Sequence, residues 1–440
     1  MLSALFVYAS FLWGCIEGLR RPWLGLVIYY GFVFLEPTWN WRWSIDPEFP
    51  FQKYLAICIL AGLLLSGIRR ARLTGPAFWS YLSLGGFLAL AYISSLQSIN
   101  PARSEIYLDI LWKVIFFSLL TVWLIDTPRK LWILLWVIVI CQGYNAYQIN
   151  LYYFQDGFSR FAQSNWGDKG DNNVYSIYTV PVMAMAVSLT AYGRTMWQWA
   201  LAGSIFVMQM HVLMLLESRG TMIGALVAAA LYILLVKKNL RIWKTIIGSV
   251  VCGGILAGPS VVEEFSSAFK PRGELDASAE SRFDVWMAGV EITQQYPLLG
   301  VGPDAGRYMV PAYYAPERDR EHKALHNLLF EVSTGCGVPA TILYLSFFGF
   351  IYLPCLKLYL FSGRQLPDWA ATTCLAVACG VPGYWVGSMF SSGSLLESSY
   401  VMVALGACTL LMLRRQQEGE VLDAPSGPRT NWRLSSQPPA

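Results

Sequence analysis

Apolar runs of helical length recur from one end of this chain to the other, and they leave one long polar interval, from Val261 to Asn327. About 20 consecutive apolar residues span the hydrocarbon of a bilayer as a helix, and a helix satisfies its own backbone there. The chain is therefore expected to be an all-α polytopic membrane protein. A large soluble core is the competing reading. It is opposed by composition: 55% of residues are hydrophobic and 14% charged, against about 25% charged in soluble domains.

Candidate spans begin near Leu2, Trp23, Tyr54, Phe78, Tyr107, Leu131, Val174, Met196, Thr221, Thr245, Leu328, Trp369 and Ser399. The second and third are the shortest, so the bundle has about 12–13 transmembrane helices. Four segments follow: a membrane bundle over 1–260, a long outer loop over 261–327, further spans over 328–413, and a tail over 414–440. The tail is rich in Gln, Pro, Ser and Arg and has too little apolar surface to fold.

Basic residues favour the cytoplasmic side of a membrane. Arg20 and Arg21 follow the first span, Arg69, Arg70 and Arg72 the third, Arg129 and Lys130 the fifth, and Arg194 the seventh. Lys237, Lys238, Arg241 and Lys244 follow the ninth, Lys357 and Arg364 the eleventh, and Arg414 and Arg415 the last. Every odd-numbered span is followed by positive charge. The first span, with no basic residues ahead of it and no clear cleavage site, reads as retained. This alternation puts the N-terminus, the 154–173 connection, the turn at Glu217–Gly220 and the long loop on one outer face, and the C-terminus inside.

Charge and cysteine usage narrow the function classes. A net charge of +4, with Lys and Arg dispersed in short clusters, gives no basic stripe for nucleic acid. Nine cysteines, mostly within apolar runs, form neither a disulfide framework nor a zinc pattern. Three histidines stand without metal-ligand spacing, and no Walker-type loop or Asp-rich pair is present.

A few polar residues then stand out. Arg219 lies between two apolar runs, where a cation faces either a cavity or the headgroups, as an anchor with or without Glu217. Arg282 is expected to open a helix capped by Ser278 or Ser281 and stopped at Tyr296–Pro297, a place where a bound anion meets both the guanidinium and the helix N-terminus. His326 stands where the long loop re-enters the membrane, and its pKa suits proton transfer. His211 reads as packed and His322 as part of a solvated charge run, 317–323. Lys113 follows Asp109 by four residues, on one helix face, as an ion pair or a donor contact. Arg160, with Asp168, Lys169, Asp171, Asn172 and Asn173, makes a second polar stretch on the outer face.

Ser218-Arg219-Gly220, Ser281-Arg282 with Trp286, Gly300-Val301-Gly302 and His326-Asn327 occur in that order. Together they resemble the O-antigen ligase and polymerase superfamily. Leu19-Arg20-Arg21-Pro22-Trp23-Leu24-Gly25 is similar to one branch of it, the exosortase-associated O-glycosylation ligases. The motif resemblance covers roughly Phe154–Pro339. It implies a GT-C-type membrane glycosyltransferase at the periplasmic face of the bacterial inner membrane. Such an enzyme takes a glycan from a polyprenyl diphosphate carrier and passes it to lipid A-core, protein or another lipid-linked glycan, inverting the anomeric carbon without a metal or other cofactor. Carried over by position, Arg219 and Arg282 would hold the donor diphosphate, and His326 would orient or deprotonate the acceptor. Many relatives carry glutamate where Gly335 stands here; Glu331 lies one helical turn earlier. Asn172-Asn173 resembles an Asn-Pro-Asn-like element without its proline. A polymerase shares these motifs. A solute transporter is the reading from another class, and the long outer loop and the lack of a broken-helix repeat count against it.

Overall fold

The computed structural model describes residues 2–67, 73–162, 164–167, 169–256, 277–314, 322–362 and 365–419. Residues 261–276 of the polar interval, the Ser278 side chain, most of the charge run before His322, Asp168, Arg69, Arg70, Arg72, Arg364 and the tail from Glu420 lie outside the described residues.

The protein is an all-α polytopic membrane protein. In order come α1 (Leu2–Arg20), α2 (Pro22–Leu35), the single turn α3 (Pro37–Asn40), α4 (Phe51–Ser66), α5 (Gly75–Ser95), α6 (Pro101–Leu124), α7 (Pro128–Asp156) and α8 (Asn172–Tyr192). Then follow α9 (Met196–Leu215), α10 (Arg219–Leu235), α11 (Leu240–Leu256), α12 (Ala277–Gln295), the short α13 (Val310–Tyr314), α14 (Leu328–Ser362), α15 (Asp368–Ser388) and α16 (Glu397–Gln417). Among the described residues, seven helices are long and apolar enough to cross a membrane: α5 to α9, α14 and α15. Three shorter apolar helices, α2, α4 and α10, stand among them. Each expected span falls on a helix, and α2 and α4 are the short ones, with 14 and 16 residues.

The centre of the bundle is α8 and α15, whose apolar windows are almost entirely buried by other helices. Helices apolar all round belong in such a core or against lipid. α15 crosses α10 with glycine on both sides: a Cβ on Gly224 would lie 2.4 Å from the Gly383 carbonyl oxygen. α14 packs along α5, while α1, α2 and α4 pack together around Val7, Phe11, Phe51 and Leu55.

The polar interval is not one loop. α12 and α13 with Val301 and Ala305 bury Val285, Ala288 and Ile292 against Leu325, a small core of their own beside α14. One expectation is corrected here. Arg282 is the sixth residue of α12 rather than its first, because Ala277-Ser278-Ala279-Glu280 continue the helix by more than a turn. It therefore lies beyond the turn where the helix dipole acts on it. A broken helix is also present: α14 has non-helical Gly337 (φ 88°, ψ 170°), followed by Pro339.

Helices α6, α8, α14 and α16 all start at the same end of the bundle, since Arg103, Asp171, Glu331 and Glu397 line one cavity there. The basic connections collect at the other end. Arg415 donates to the Asp126 carbonyl at 3.1 Å, Lys130 lies 5.6 Å from the Trp23 ring, and Arg194 stands 4.0 Å from Asp368. Arg415, Lys130 and Arg194 thus lie at the end of the bundle away from the cavity.

Candidate active site

The break in α14 sets the site. A proline at 339 and a non-helical Gly337 leave carbonyls of the preceding turn without intrahelical partners. The Gly300-Val301-Gly302 loop supplies them. Val301 N donates to the Thr334 carbonyl and Gly302 N to that of Gly335, both at 2.9 Å, and Ser94 Oγ also donates to Gly335 at 2.8 Å. Gly300 (φ 64°) and Gly302 (φ 112°) take left-handed backbone that this approach requires. The glycine motif is therefore a clamp on a broken helix.

The clamp carries Asp304. Its carboxylate accepts from Arg103 Nε at 2.6 Å and from Arg307 Nη2 at 2.7 Å, so two guanidinium groups share one carboxylate. Such forked, charge-assisted bonds fix both arginines in place.

At the start of the same helix, Asn327 caps α14. Its Oδ1 accepts from Leu329 N at 2.9 Å, and its Nδ2 donates to the Met389 carbonyl at 3.0 Å. His326 precedes it in left-handed backbone (φ 47°). Its Nδ1 is buried and has no hydrogen-bond partner. Burial, and then the nearby Arg282 guanidinium, push the imidazole down to about 4. A neutral imidazole with an open nitrogen can accept a proton.

Arg282 reaches this place through α12. One turn on, Trp286 donates its indole N–H to the Leu325 carbonyl at 3.1 Å, and its ring lies 5.9 Å from that of Phe390. Phe390 also covers Gly220, where a Cβ would meet it at 2.2 Å. Arg219, the first residue of α10, is held at the same place from α8: Asn172 Nδ2 donates to the Leu216 carbonyl at 2.8 Å, and Ser218 Oγ to Asn173 Oδ1 at 2.9 Å. Gly220, Trp286 and Asn327 therefore bring the segments that carry Arg219, Arg282 and His326 to the Met389–Phe390 turn.

A cavity of ≈ 790 Å³ opens beside His326. Its walls come from the α2–α4 connection, the start of α6, the residues before α8, the Asp304 clamp and the α15–α16 turn. Glu331 lines it too, with Oε1 accepting from Ser394 Oγ at 2.6 Å. Ser394 Oγ in turn accepts from the Tyr107 hydroxyl at 2.9 Å. Arg219 and Arg282 stand outside the cavity lining.

The O-antigen ligase family model matches residues 204–345, about a third of the chain. Over that segment the chain is similar to the O-antigen ligase superfamily. No curated protein matches it. The superfamily is one of membrane glycan ligases and polymerases, glycosyltransferase-like enzymes that act on lipid-linked glycans. The O-antigen ligase segment contains Arg219, Arg282, Asp304, Arg307, His326 and Glu331, but neither Arg103 nor the α15–α16 turn.

Not every residue singled out in the sequence joins this site. Lys113 pairs with Asp109 at 2.7 Å on an open face of α6, with the two side chains 49% and 56% exposed. It borders a separate space of ≈ 140 Å³. Arg160 pairs with Asp156 at 2.7 Å, half-exposed, and stands outside the cavity lining. Of Lys113, Arg160 and Glu331, only Glu331 reaches the cavity; from the second polar stretch, Lys169 and Asp171 line it as well. Position 335 is tight for a side chain, since a Cβ there would lie 3.2 Å from Asp304 N and from the Gly302 carbonyl oxygen. The carboxylate in this turn is accordingly that of Glu331. Arg103, Arg307 and Asp304 went unnoticed as a group. Only Asp304, at the end of the glycine motif, carried a local signal.

Proposed function

We propose that this chain is a glycan ligase that moves an oligosaccharide or polysaccharide from a polyprenyl diphosphate carrier to an acceptor hydroxyl at the periplasmic face of the bacterial inner membrane. The observation that carries the reading is His326, a neutral imidazole with an unpartnered Nδ1 on the wall of a large cavity and beside Arg282. The basic end of the bundle, opposite the cavity, supports an outward-facing site. The stretch Leu19–Gly25 supports the exosortase-associated branch.

In the reaction the acceptor oxygen attacks the anomeric carbon of the carried glycan. That C–O bond forms while the bond to the diphosphate oxygen breaks. The electron pair leaves with the polyprenyl diphosphate, and the hydroxyl proton passes to His326. A diphosphate leaving group needs charge neutralisation more than a proton, and Arg219 and Arg282 supply it without a metal. Attack from the face opposite the leaving group inverts the anomeric configuration.

The test is His326→Ala in the full chain, returned to a strain that lacks the gene. Glycan attachment is lost while the protein stays in the membrane at its normal level. Full attachment by the variant would sink the proposal. A polymerase would instead shorten the chains without leaving them unattached, so a glycan profile separates the two.

A further inference from the structure

The cavity beside His326 has a charge balance of its own. Among the described residues that line it, the cations are Arg103, Lys169 and Arg307. Against them stand the carboxylates of Glu36, Glu48, Asp171, Asp304, Glu331 and Glu397. Lys169 is matched by Glu397 at 3.0 Å, and the two arginines are both drawn onto Asp304. Leaving Glu331 aside, carboxylates still outnumber cations in the walls. A concave site with low-dielectric walls focuses such a field on whatever enters it.

This balance does not suit a diphosphate. The two arginines proposed to meet the donor stand outside the lining, while His326 lines it and feels the Arg282 charge. Besides these charges the cavity offers an uncharged polar group and an apolar wall. The Ser391 hydroxyl lines it, 1% exposed and with no hydrogen-bond partner, a buried group waiting for a ligand's hydroxyl or carbonyl. Phe32, Phe49 and Phe51 give it an apolar wall on which a sugar face or an alkyl chain can lie.

We infer that this cavity is the acceptor site, and that its surplus of carboxylates selects an uncharged or cationic hydroxyl acceptor over a phosphorylated one. The inference rests on the ligase reading, since it takes His326 as the group that meets the acceptor.

Occupancy can be read without turnover. The full chain in phosphatidylcholine nanodiscs is treated with diethyl pyrocarbonate, and modification of His326 is followed by peptide mass spectrometry. The probes are n-octyl β-D-glucoside and its 6-phosphate, which differ only in charge. The neutral glucoside should protect His326 at about tenfold lower concentration than the phosphate, because a like charge in such a site is penalised. Glu48→Lys, at an exposed position on the cavity rim, should narrow that gap. Equal or better protection by the phosphate overturns the inference, and so does protection by neither probe. The measurement needs no donor, so it reports on the cavity even where His326→Ala leaves glycan transfer intact.

Discussion

Trp286 donates its indole N–H to the carbonyl oxygen of Leu325 at 3.1 Å, and this bond ties the helix that carries Arg282 to the residue before His326. Two groups from far apart in the chain are thereby held in register. Trp286→Phe keeps the ring against Phe390 but leaves the Leu325 carbonyl without this donor, a loss of about 1–3 kcal/mol. If the bond positions Arg282 on His326, transfer falls by about 10–100-fold and the pH inflection of His326 moves up. A drop in melting temperature with neither change would assign the bond to stability alone.

The pH dependence follows from the depressed imidazole. With His326 at about 4 rather than the ordinary 6.5, the base stays neutral across the physiological range. Transfer should be flat near neutrality and fall only as pH approaches 4. Between 4 and 6.5 the unfolded chain binds more protons at this residue than the folded one. Its contribution to stability is therefore full above 6.5 and declines as pH falls toward 4. Arg282→Gln removes the second cause of the shift but not burial, the first. The inflection should rise part of the way toward 6.5, as read from the pH profile of His326 modification.

Gly300 tests the clamp. It has φ 64°, and a Cβ there would lie 2.4 Å from the Thr334 carbonyl oxygen and 2.5 Å from the backbone of Gly335. Backbone on the partner side cannot rotate away. Gly300→Ala should cost at least about 1–3 kcal/mol, seen as a lower melting temperature in detergent. Gly85→Ala is the control, since nothing lies within 4 Å of its Cβ position.

Lys113 and Arg160 provide the contrasting case. Both are in pairs outside the cavity lining. Lys113→Ala and Arg160→Ala should each leave transfer within about twofold of the parent, as exposed substitutions usually do. A large loss in either would place donor contacts on the α6 face or at the 154–173 connection.

Much of this was legible in the sequence for a local reason. Run length and apolarity report on one helix at a time, so the membrane class and the helix on which each expected span falls could be read directly, while seven helices are long and apolar enough to cross a membrane. The i, i+4 spacing of Asp109 and Lys113 likewise fixed their pairing. Loop charge fixed the two ends of the bundle because it depends only on which connection a residue occupies. Arg219, Arg282 and His326 stood out because each interrupts an apolar or helical pattern. The tertiary structure decided what lies around them. Arg103 and Asp304 are 201 residues apart and Lys169 and Glu397 are 228 apart, so no periodicity could join them. Ser391 is an ordinary turn serine until helices α6, α8, α14 and α16 converge on it. The start of α12 was misplaced because the motif at Ser281-Arg282 looked like a beginning, while the preceding Ala277–Glu280 already form helix. The cavity's charge is likewise a property of converging elements: Glu36 and Glu48 come from the α2–α4 connection, while Arg103, Lys169, Asp171, Asp304 and Arg307 come from elements far along the chain.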